Sequence, residues 1–136
     1  MPQLQIKIPS EKVKKHSKKW WYKTLDDLFS PMIREKGFCE RCGSRVNKLN
    51  HAHVIGRANK ALRYDILNAM CLCVHCHFWW HENPTESGLW FAEKYPERKT
   101  YLDWAKLKFV DRTEDDFKIL EAAIRNRQFN LLVYTP

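Results

Sequence analysis

Leu72-Cys73-Val74-His75-Cys76-His77-Phe78-Trp79-Trp80-His81 is the stretch that decides the fold of this 136-residue chain. It contains one Cys-x-x-Cys pair, and a second pair, Cys39 with Cys42, lies upstream with 30 residues between Cys42 and Cys73. A turn that carries such a pair presents two sulfurs to one ion, and tetrahedral structural zinc takes two pairs at this spacing. We therefore predict a closed zinc site of four thiolates, with these ligands: Cys39, Cys42, Cys73 and Cys76.

The chain has five cysteines, an odd number, and its amino terminus carries no pattern of a secretion signal. Outside an oxidising compartment, paired cysteines favour a metal site over disulfides. The alternative is that some of the cysteines are buried apolar residues. We expect this of Cys71, which stands outside both pairs.

Positive charge is concentrated at the amino terminus. The chain has 24 Lys and Arg against 16 Asp and Glu, a net charge of +8, and residues 1–23 contribute +6 of it through seven lysines and one glutamate. We expect residues 1–19 to form a flexible basic arm whose natural partner is a polyanion such as nucleic acid. The alternative is a merely solubilising tail. Because no apolar run is long enough to span a membrane, we expect a cytoplasmic protein without membrane contact.

The hydrophobic pattern predicts helices on both sides of a short β region. Apolar residues recur at helical spacing over 20–33, with Asp26 and Asp27 facing away, and Pro31 predicts a kink or a split at Ser30. Residues 45–55 have the partly alternating pattern of a strand or hairpin arm. Further helices are predicted over 74–82, over 89–94, weakly over 101–107, and after a capping box formed by Thr113 and Asp116.

His77 and His81 are four residues apart, so on a helix they lie on one face, about one turn from each other. This geometry suits a second metal ion or a phosphate group. An isolated pair would more often be structural. Because this pair directly follows a zinc-binding pair, we interpret it as functional.

The order of these residues resembles the HNH family of metal-dependent endonucleases. The spacing of His, Asn, His and His is similar to that of the nuclease colicins, and the cysteine pairs are similar to those of phage resolvase and McrA-like enzymes. Upstream residues 25–34 and 62–65 resemble phage recombination proteins of the NinG type, so the likeness covers roughly residues 25–82. Its residues are Cys39-Glu40-Arg41-Cys42-Gly43, Ala52-His53-Val54-Ile55, Asn68, Leu72-Cys73-Val74-His75-Cys76-His77 and His81.

The resemblance implies a hairpin and a helix around one catalytic divalent cation, Mg²⁺ or Mn²⁺. It implies His53 as the general base that takes a proton from water, and Asn68 as the residue that holds the hairpin loop and orients the base. His77 and His81 are the implied metal ligands. The implied reaction is hydrolysis of DNA phosphodiester bonds to 3′-hydroxyl and 5′-phosphate ends, with branched or single-stranded recombination intermediates as the expected substrates.

The chain departs from the family's pattern at Ala52, where many members have an Asp or His that binds the metal. His51 is the nearest replacement, but in a regular strand it shares a face with His53, opposite to that of position 52. Either a bulge re-aims His51 toward the cation, or the cation rests on the other two histidines, waters and substrate phosphate. His51 would then support the site or contact DNA. Glu82 is a further candidate ligand, although we expect it to face solvent.

Basic residues fall in the loop between the two strands, where DNA passes in that family. The planar fork of arginine suits phosphate, and the alternative is ordinary surface charge. The predicted DNA contacts are Arg57, Lys60 and Arg63 in this loop, together with Lys15, Lys18 and Lys19 in the arm.

Two tryptophan pairs accompany these elements. We expect at least one member of each pair to lie in the core, and the alternative for the others is stacking on unpaired bases. The pairs are Trp20 with Trp21 and Trp79 with Trp80.

We therefore predict an α+β fold: a small ββα-metal (HNH) core with a four-cysteine zinc site, flanked by helices at both ends. The predicted organisation is the arm over 1–19, a nuclease domain over 20–112 and a helix within 113–136 that packs on the domain. Two other functions stay open. One is a non-catalytic, zinc-containing DNA-binding module in which the histidines are only structural, and the other is a protein-interaction module built on the carboxyl-terminal helices.

Overall fold

A computed structural model describes residues 15–134, so most of the predicted arm, residues 1–14, and the last two residues lie outside it. Within that range the chain is a small mixed α and β domain with five α-helices and one two-stranded antiparallel sheet. In chain order the elements are α1 (Lys18–Arg34), β1 (Leu49–His53), a 3-10 turn (Ile66–Asn68), β2 (Ala69–Cys73), α2 (Val74–Glu82), α3 (Pro84–Lys94), α4 (Pro96–Ala105), α5 (Glu114–Arg125) and a second 3-10 turn (Phe129–Leu131).

The first helix starts within the segment predicted as the arm. The Ser17 side chain caps it by accepting a hydrogen bond from the backbone N–H of Trp20, which satisfies a free donor of the first turn. The helix therefore already includes Lys18 and Lys19. Trp21 is buried and Trp20 is exposed, as predicted for this pair.

The same helix continues through Pro31, so the predicted split at Ser30 is wrong. Pro31 lies in the last turn, where proline removes only one helical hydrogen bond. Phe29 and Met32, on either side of it, are both buried. Packing of this apolar face holds the helix together across the proline, because tertiary packing contributes more to helix stability than local propensity.

The two strands pair in a regular register, from Leu49 opposite Cys73 to His53 opposite Ala69. Because no bulge interrupts this pairing, the alternative in which a bulge re-aims His51 is wrong. His51 and His53 lie on one face, with ring centroids 4.1 Å apart, and Ala52 is fully buried on the other. The hairpin therefore presents two histidines side by side.

Helices cover both faces of the sheet, which explains why every residue of β2 is buried. One cluster joins α1 and α5, where Trp21 and Phe117 stack with ring centroids 5.6 Å apart. The other cluster packs Met70 of β2 against Phe91 of α3 and Leu102 of α4. The sheet thus lies between two small cores.

Two helices, α3 and α4, begin at a proline directly after the preceding helix ends. α2 ends before Asn83, as predicted, but Pro84 opens α3 five residues earlier than the predicted start at Leu89. Pro96 opens α4 in the same way. Proline is well placed at the first helical position, because the N–H that it lacks has no partner there.

The last helix, α5, begins with the predicted capping box. The Thr113 N–H donates to the Asp116 carboxylate at 2.8 Å, and the Asp116 N–H donates to the Thr113 hydroxyl at 3.3 Å. Among the helices of residues 15–134, none is both long and apolar enough to cross a membrane.

Candidate metal centre and histidine cleft

The four predicted cysteine ligands form one cluster at the end of the hairpin where Leu49 and Cys73 pair. Their sulfur atoms all lie within 4.8 Å of one another, and the Cys42 and Cys73 sulfurs are 3.8 Å apart. Two sulfurs at about 2.3 Å from one tetrahedral zinc ion lie about 3.8 Å apart. The cluster could therefore hold a structural zinc ion. In residues 15–134 it is the one group of three or more His, Cys, Asp or Glu side chains that converges this closely.

Local turns bring each sulfur pair to the cluster. Gly43 closes the first turn with a φ of 76° and donates its N–H to the Cys39 carbonyl at 2.9 Å. Glycine adopts this left-handed backbone conformation without a steric penalty. Cys73 caps α2 and accepts a hydrogen bond from the Cys76 N–H, so that its sulfur lies at the amino terminus of the helix. Cys71 is fully buried in β2 and stays outside the cluster.

The thiols differ in how readily they ionise. Burial raises the pKa of Cys39, but backbone N–H groups of Cys42, Cys73 and Arg41 outweigh it and bring the pKa down to about 7. Burial raises the pKa of Cys76 to about 12, although the Arg41 guanidinium lies 3.5 Å from its sulfur. A metal cation deprotonates coordinating thiols outright, so we expect ion binding to release protons from this cluster.

A second polar site, which we call the histidine cleft, is lined by the next residue of α2 after Cys76, His77. Its volume is about 600 Å³. The cleft brings together all four histidines predicted for the catalytic centre and one of the predicted DNA contacts. Its lining residues are Ser30, His51, His53, Val54, Gly56, Arg57, His77, Trp80 and His81.

His51 faces this cleft with one nitrogen engaged and one unsatisfied. Its Nδ1 is hydrogen-bonded to the Ser30 hydroxyl at 2.8 Å, and its Nε2 is buried without a hydrogen-bond partner. Burial and the neighbouring His53 lower the pKa of His51 to about 3, so the ring is neutral near pH 7. A buried ring nitrogen without a partner is costly, whichever tautomer the ring adopts.

His53 lies beside His51 on the same face of β1. The pKa of His53 is lowered to about 4, mainly because the ring is buried and next because the positive charge of Arg57 lies nearby. The imidazole is therefore neutral at pH 7 and able to accept a proton, which is the form that a general base needs.

His77 and His81 converge from successive turns of α2. Their Nε2 atoms are 3.1 Å apart, and the ring centroids are 4.9 Å apart. Two imidazole nitrogens that bind one ion at about 2.1 Å lie about 3.0–3.4 Å apart. The pair therefore already has the spacing of two ligands to one ion. Glu82, the next residue along, is exposed.

Asn68 fixes the start of the loop that leaves β1. Its side-chain oxygen accepts from the Ile55 N–H at 2.8 Å, and its amide nitrogen donates to the Ile55 and Leu62 carbonyls at 2.8 and 3.2 Å. The buried amide thus holds the loop after His53 through backbone contacts. Its part in catalysis stays a prediction.

Asp26 is a residue of this region that sequence reasoning missed. Predicted to face away from the helix core, it instead binds Arg63 through both carboxylate oxygens, at 2.6 and 3.2 Å, and accepts from the Tyr64 hydroxyl at 2.9 Å. Arg57 lies 3.9 Å from the same carboxylate. The Arg63 guanidinium is therefore engaged by Asp26, whereas the Arg57 side chain is largely exposed beside the histidines.

Ser30 was also missed, because its type and its place before Pro31 suggested a helix cap. No local pattern could have revealed either residue. The partners of Asp26 and Ser30 lie 21 to 38 residues further along the chain, so their roles depend on the tertiary fold.

The predicted lysine contacts spread along the amino-terminal side of α1 and the loop. Lys15 and Lys19 are exposed, and Lys18 pairs with Asp111 at 2.7 Å on the surface. Lys60 is exposed, with its amine 5.7 Å from the centre of the Tyr22 ring. The structure leaves these cations accessible to an anionic partner.

The second tryptophan pair differs from its prediction, because neither ring is fully buried. Trp80 is partly buried against the core of α3 and α4. Trp79 carries the Arg41 guanidinium 3.5 Å from its ring centre, a stacking contact next to the cysteine cluster.

Comparison of the chain with protein-family models, with curated proteins and with solved structures returns no match. The resemblance to HNH endonucleases therefore rests on the residues and spacings quoted above.

Proposed function

We propose that this protein is a metal-dependent endonuclease that hydrolyses DNA phosphodiester bonds. The observation that carries the proposal is the histidine cleft, in which a neutral His53, an unsatisfied His51 nitrogen and the converging pair of His77 and His81 share one space with the exposed Arg57. Zinc-site architecture alone would not require this second, open group of imidazoles.

The donor set supports binding of a divalent cation. His77 and His81 would hold it, and His51, whose Nε2 has no hydrogen-bond partner, lines the same cleft. A bound cation would supply positive charge to the phosphoryl oxygens and to the leaving 3′ oxygen. Imidazole donors fit Zn²⁺, Ni²⁺ or Co²⁺ better than Mg²⁺, which prefers oxygen ligands. The predicted Mg²⁺ or Mn²⁺ therefore needs oxygen ligands from water and substrate.

The remaining steps belong to side chains of the cleft. His53 takes the proton of the attacking water, since its ring is unprotonated at pH 7, and a cation bound nearby would have to make that water more acidic because a pKa of about 4 makes the imidazole a weak base. Asn68 keeps the loop after His53 in place through Ile55. Arg57, which is exposed beside the histidines, would bind a phosphate of the strand, and the lysines of α1 and the loop would add salt-dependent affinity without reading sequence.

Plasmid nicking tests the proposal. Supercoiled plasmid is incubated with purified protein in Mg²⁺, Mn²⁺, Ni²⁺, Zn²⁺ or EDTA, and we expect open-circle product with at least one of the ions and none in EDTA. His53→Ala should lower the rate by about 10²- to 10⁴-fold, the usual contribution of a general base. Zinc content and DNA binding should stay near those of the wild type.

His75→Ala is the matched control, since His75 is an exposed histidine of the same helix and does not line the cleft. It should nick at the wild-type rate. If no ion supports nicking while the protein still binds zinc and DNA, the non-catalytic DNA-binding module is the correct function.

A further inference from the structure

A second cleft adjoins the histidine cleft and has no part in the reaction described above. Its volume is about 360 Å³, and it shares three lining residues with the histidine cleft: Val54, Trp80 and His81. We call it the side cleft. A group bound there lies next to whatever the His77 and His81 pair holds, so its occupant should belong to the same substrate molecule.

The walls of the side cleft are apolar and held in place by packing. Besides Val54 and Trp80, the wall includes Phe91 and Leu102, which belong to the core of α3 and α4. The Trp80 ring meets the Phe91 ring at a centroid distance of 6.1 Å and an interplanar angle of 75°. Ser87 donates its hydroxyl to the Trp80 carbonyl at 3.0 Å. A preformed wall with an aromatic ring suits a flat heterocycle.

The rim of the side cleft is polar and carries both donors and an acceptor. Lys99 and Lys106 contact the Asp103 carboxylate at 2.6 and 3.3 Å, and all three side chains are more than two-fifths exposed. A nucleobase matches the combination, since it has apolar faces and an edge with donors and acceptors. The second lysine leaves an excess positive charge for a neighbouring phosphate.

We propose that the side cleft binds one unpaired base of the DNA strand whose phosphate lies at the histidines. This inference rests on the proposed nuclease function and names the part of the substrate that the side cleft would hold. Inside a duplex a base is paired and stacked, and it must leave the stack to enter a pocket. The protein should therefore bind single-stranded or locally unpaired DNA in preference to blunt duplex.

Gly88 offers a way to fill the side cleft without replacing a histidine. It lines the cleft from α3, and a Cβ added there meets no other atom within 4 Å. Gly88→Leu should occupy the space meant for the base. The melting temperature should stay the same or rise, because leucine is a better helix former than glycine. Thr85→Leu, an exposed position of the same helix outside the cleft, is the matched control.

The measurement is fluorescence anisotropy in the His53→Ala background, where binding can be followed without cleavage. The probes are a labelled 12-nucleotide single strand of thymidines, the same strand with abasic sites, and a blunt duplex of equal length. We expect removal of the bases to weaken binding by about tenfold, within the range for base stacking on aromatic residues. Gly88→Leu should abolish this difference, and Thr85→Leu should preserve it. Lys106→Ala, at the exposed rim, should reduce the difference by about twofold.

Equal affinity for the normal and abasic strands would overturn the proposal, as would a base preference that survives Gly88→Leu in a folded protein. The outcome is separable from the nuclease function. If the protein prefers strands with bases but nicks no plasmid, the side-cleft proposal holds and the nuclease proposal fails. If it nicks plasmid without any preference for bases, the nuclease proposal holds and the side-cleft proposal fails.

Discussion

The cysteine cluster and the histidine cleft lie on the same hairpin and the same helix, yet they are built in opposite ways. The cluster is compact, with three of its four cysteines buried and all four sulfurs within 4.8 Å. The cleft has a volume of about 600 Å³ and spreads its imidazoles over β1 and α2. A closed set of four ligands leaves no position for a substrate, whereas an open set does. The comparison fits a structural role for the cysteines, which could hold a zinc ion, and the catalytic role that we propose for the histidines.

The largest expected effect comes from removing one thiolate of the cysteine cluster, which tests its structural role. Cys73→Ser should abolish zinc binding and cooperative folding, because an intact structural zinc contributes on the order of 10 kcal/mol to a small domain. Zinc content by plasma mass spectrometry and thermal unfolding by circular dichroism measure the effect. Cys71→Ala, a change in the same strand outside the cluster, should keep the zinc and cost only about 1–2 kcal/mol. Retention of zinc and fold by Cys73→Ser would contradict a structural role.

The reciprocal change removes a proposed ligand from the histidine cleft. His77→Ala should leave folding intact, because His77 is neither in the core nor in the cysteine cluster. We expect the metal concentration for half-maximal nicking to rise by at least about tenfold. A titration of plasmid nicking against the most effective ion measures this. Glu82→Ala, an exposed neighbour on α2, should leave the titration unchanged, and an unchanged titration for His77→Ala would exclude His77 as a ligand.

Substitutions of the neighbouring residues Asp26 and Asp27 test whether the hydrogen bonds of Asp26 to Arg63 and Tyr64 stabilise the fold. Asp26→Asn should lower the free energy of unfolding by about 2 kcal/mol, since it removes charged hydrogen bonds to Arg63 and Tyr64 in a partly buried site. Asp27→Asn should cost no more than about 0.5 kcal/mol, because Asp27 only pairs with the exposed Lys23 on the surface. Urea unfolding of both variants decides this, and equal losses would show that the Asp26 network adds nothing.

The smallest expected effect is a pH dependence that belongs to the cleft. The pKa of His53 is lowered to about 4 in the folded protein, against about 6.5 in the unfolded chain. Between these values the unfolded chain binds a proton that the folded cleft does not. The contribution to stability is therefore complete above about pH 6.5 and is lost as the pH falls toward 4.

We expect the difference in unfolding free energy between the wild type and His53→Gln to shift by about 1 kcal/mol in favour of the variant from pH 7.5 to 5.5, since solvent in the cleft moderates the full linkage effect. Urea titrations at the two pH values measure it. Taking the difference cancels protonation of the cysteines, which both proteins share. A constant difference would show that His53 titrates as in the unfolded chain.

The cysteine cluster and the histidine cleft could both be predicted from sequence to the extent that their geometry depends on local spacing. Two Cys-x-x-Cys turns and two histidines four residues apart on a helix have geometries that the backbone dictates over a few residues. The side-by-side placement of His51 and His53 followed from the alternation of a regular strand. For these residues, neighbours in sequence determine neighbours in space.

The parts that sequence reasoning missed depend on contacts between distant segments. Asp26 has the pattern of a solvent-facing helix residue, and only the fold brings Arg63 against it. Glu40, inside the first cysteine turn, is buried and accepts hydrogen bonds from the Cys71 N–H, Tyr95 and Arg98. The boundaries of α3 and α4 were missed for a different reason, because a proline that stops one helix can also start the next.

The adjacency of Cys76 and His77 on α2 has a consequence for how the protein matures. One helix delivers a sulfur to the closed cluster and, in the next residue, an imidazole to the open cleft. A newly made chain that has not yet acquired zinc should lack an ordered α2, and with it the spacing of the histidine pair. Zinc would then have to be loaded before the second ion of the proposed nuclease, so that the activity of a sample would depend on how much of its protein carries zinc.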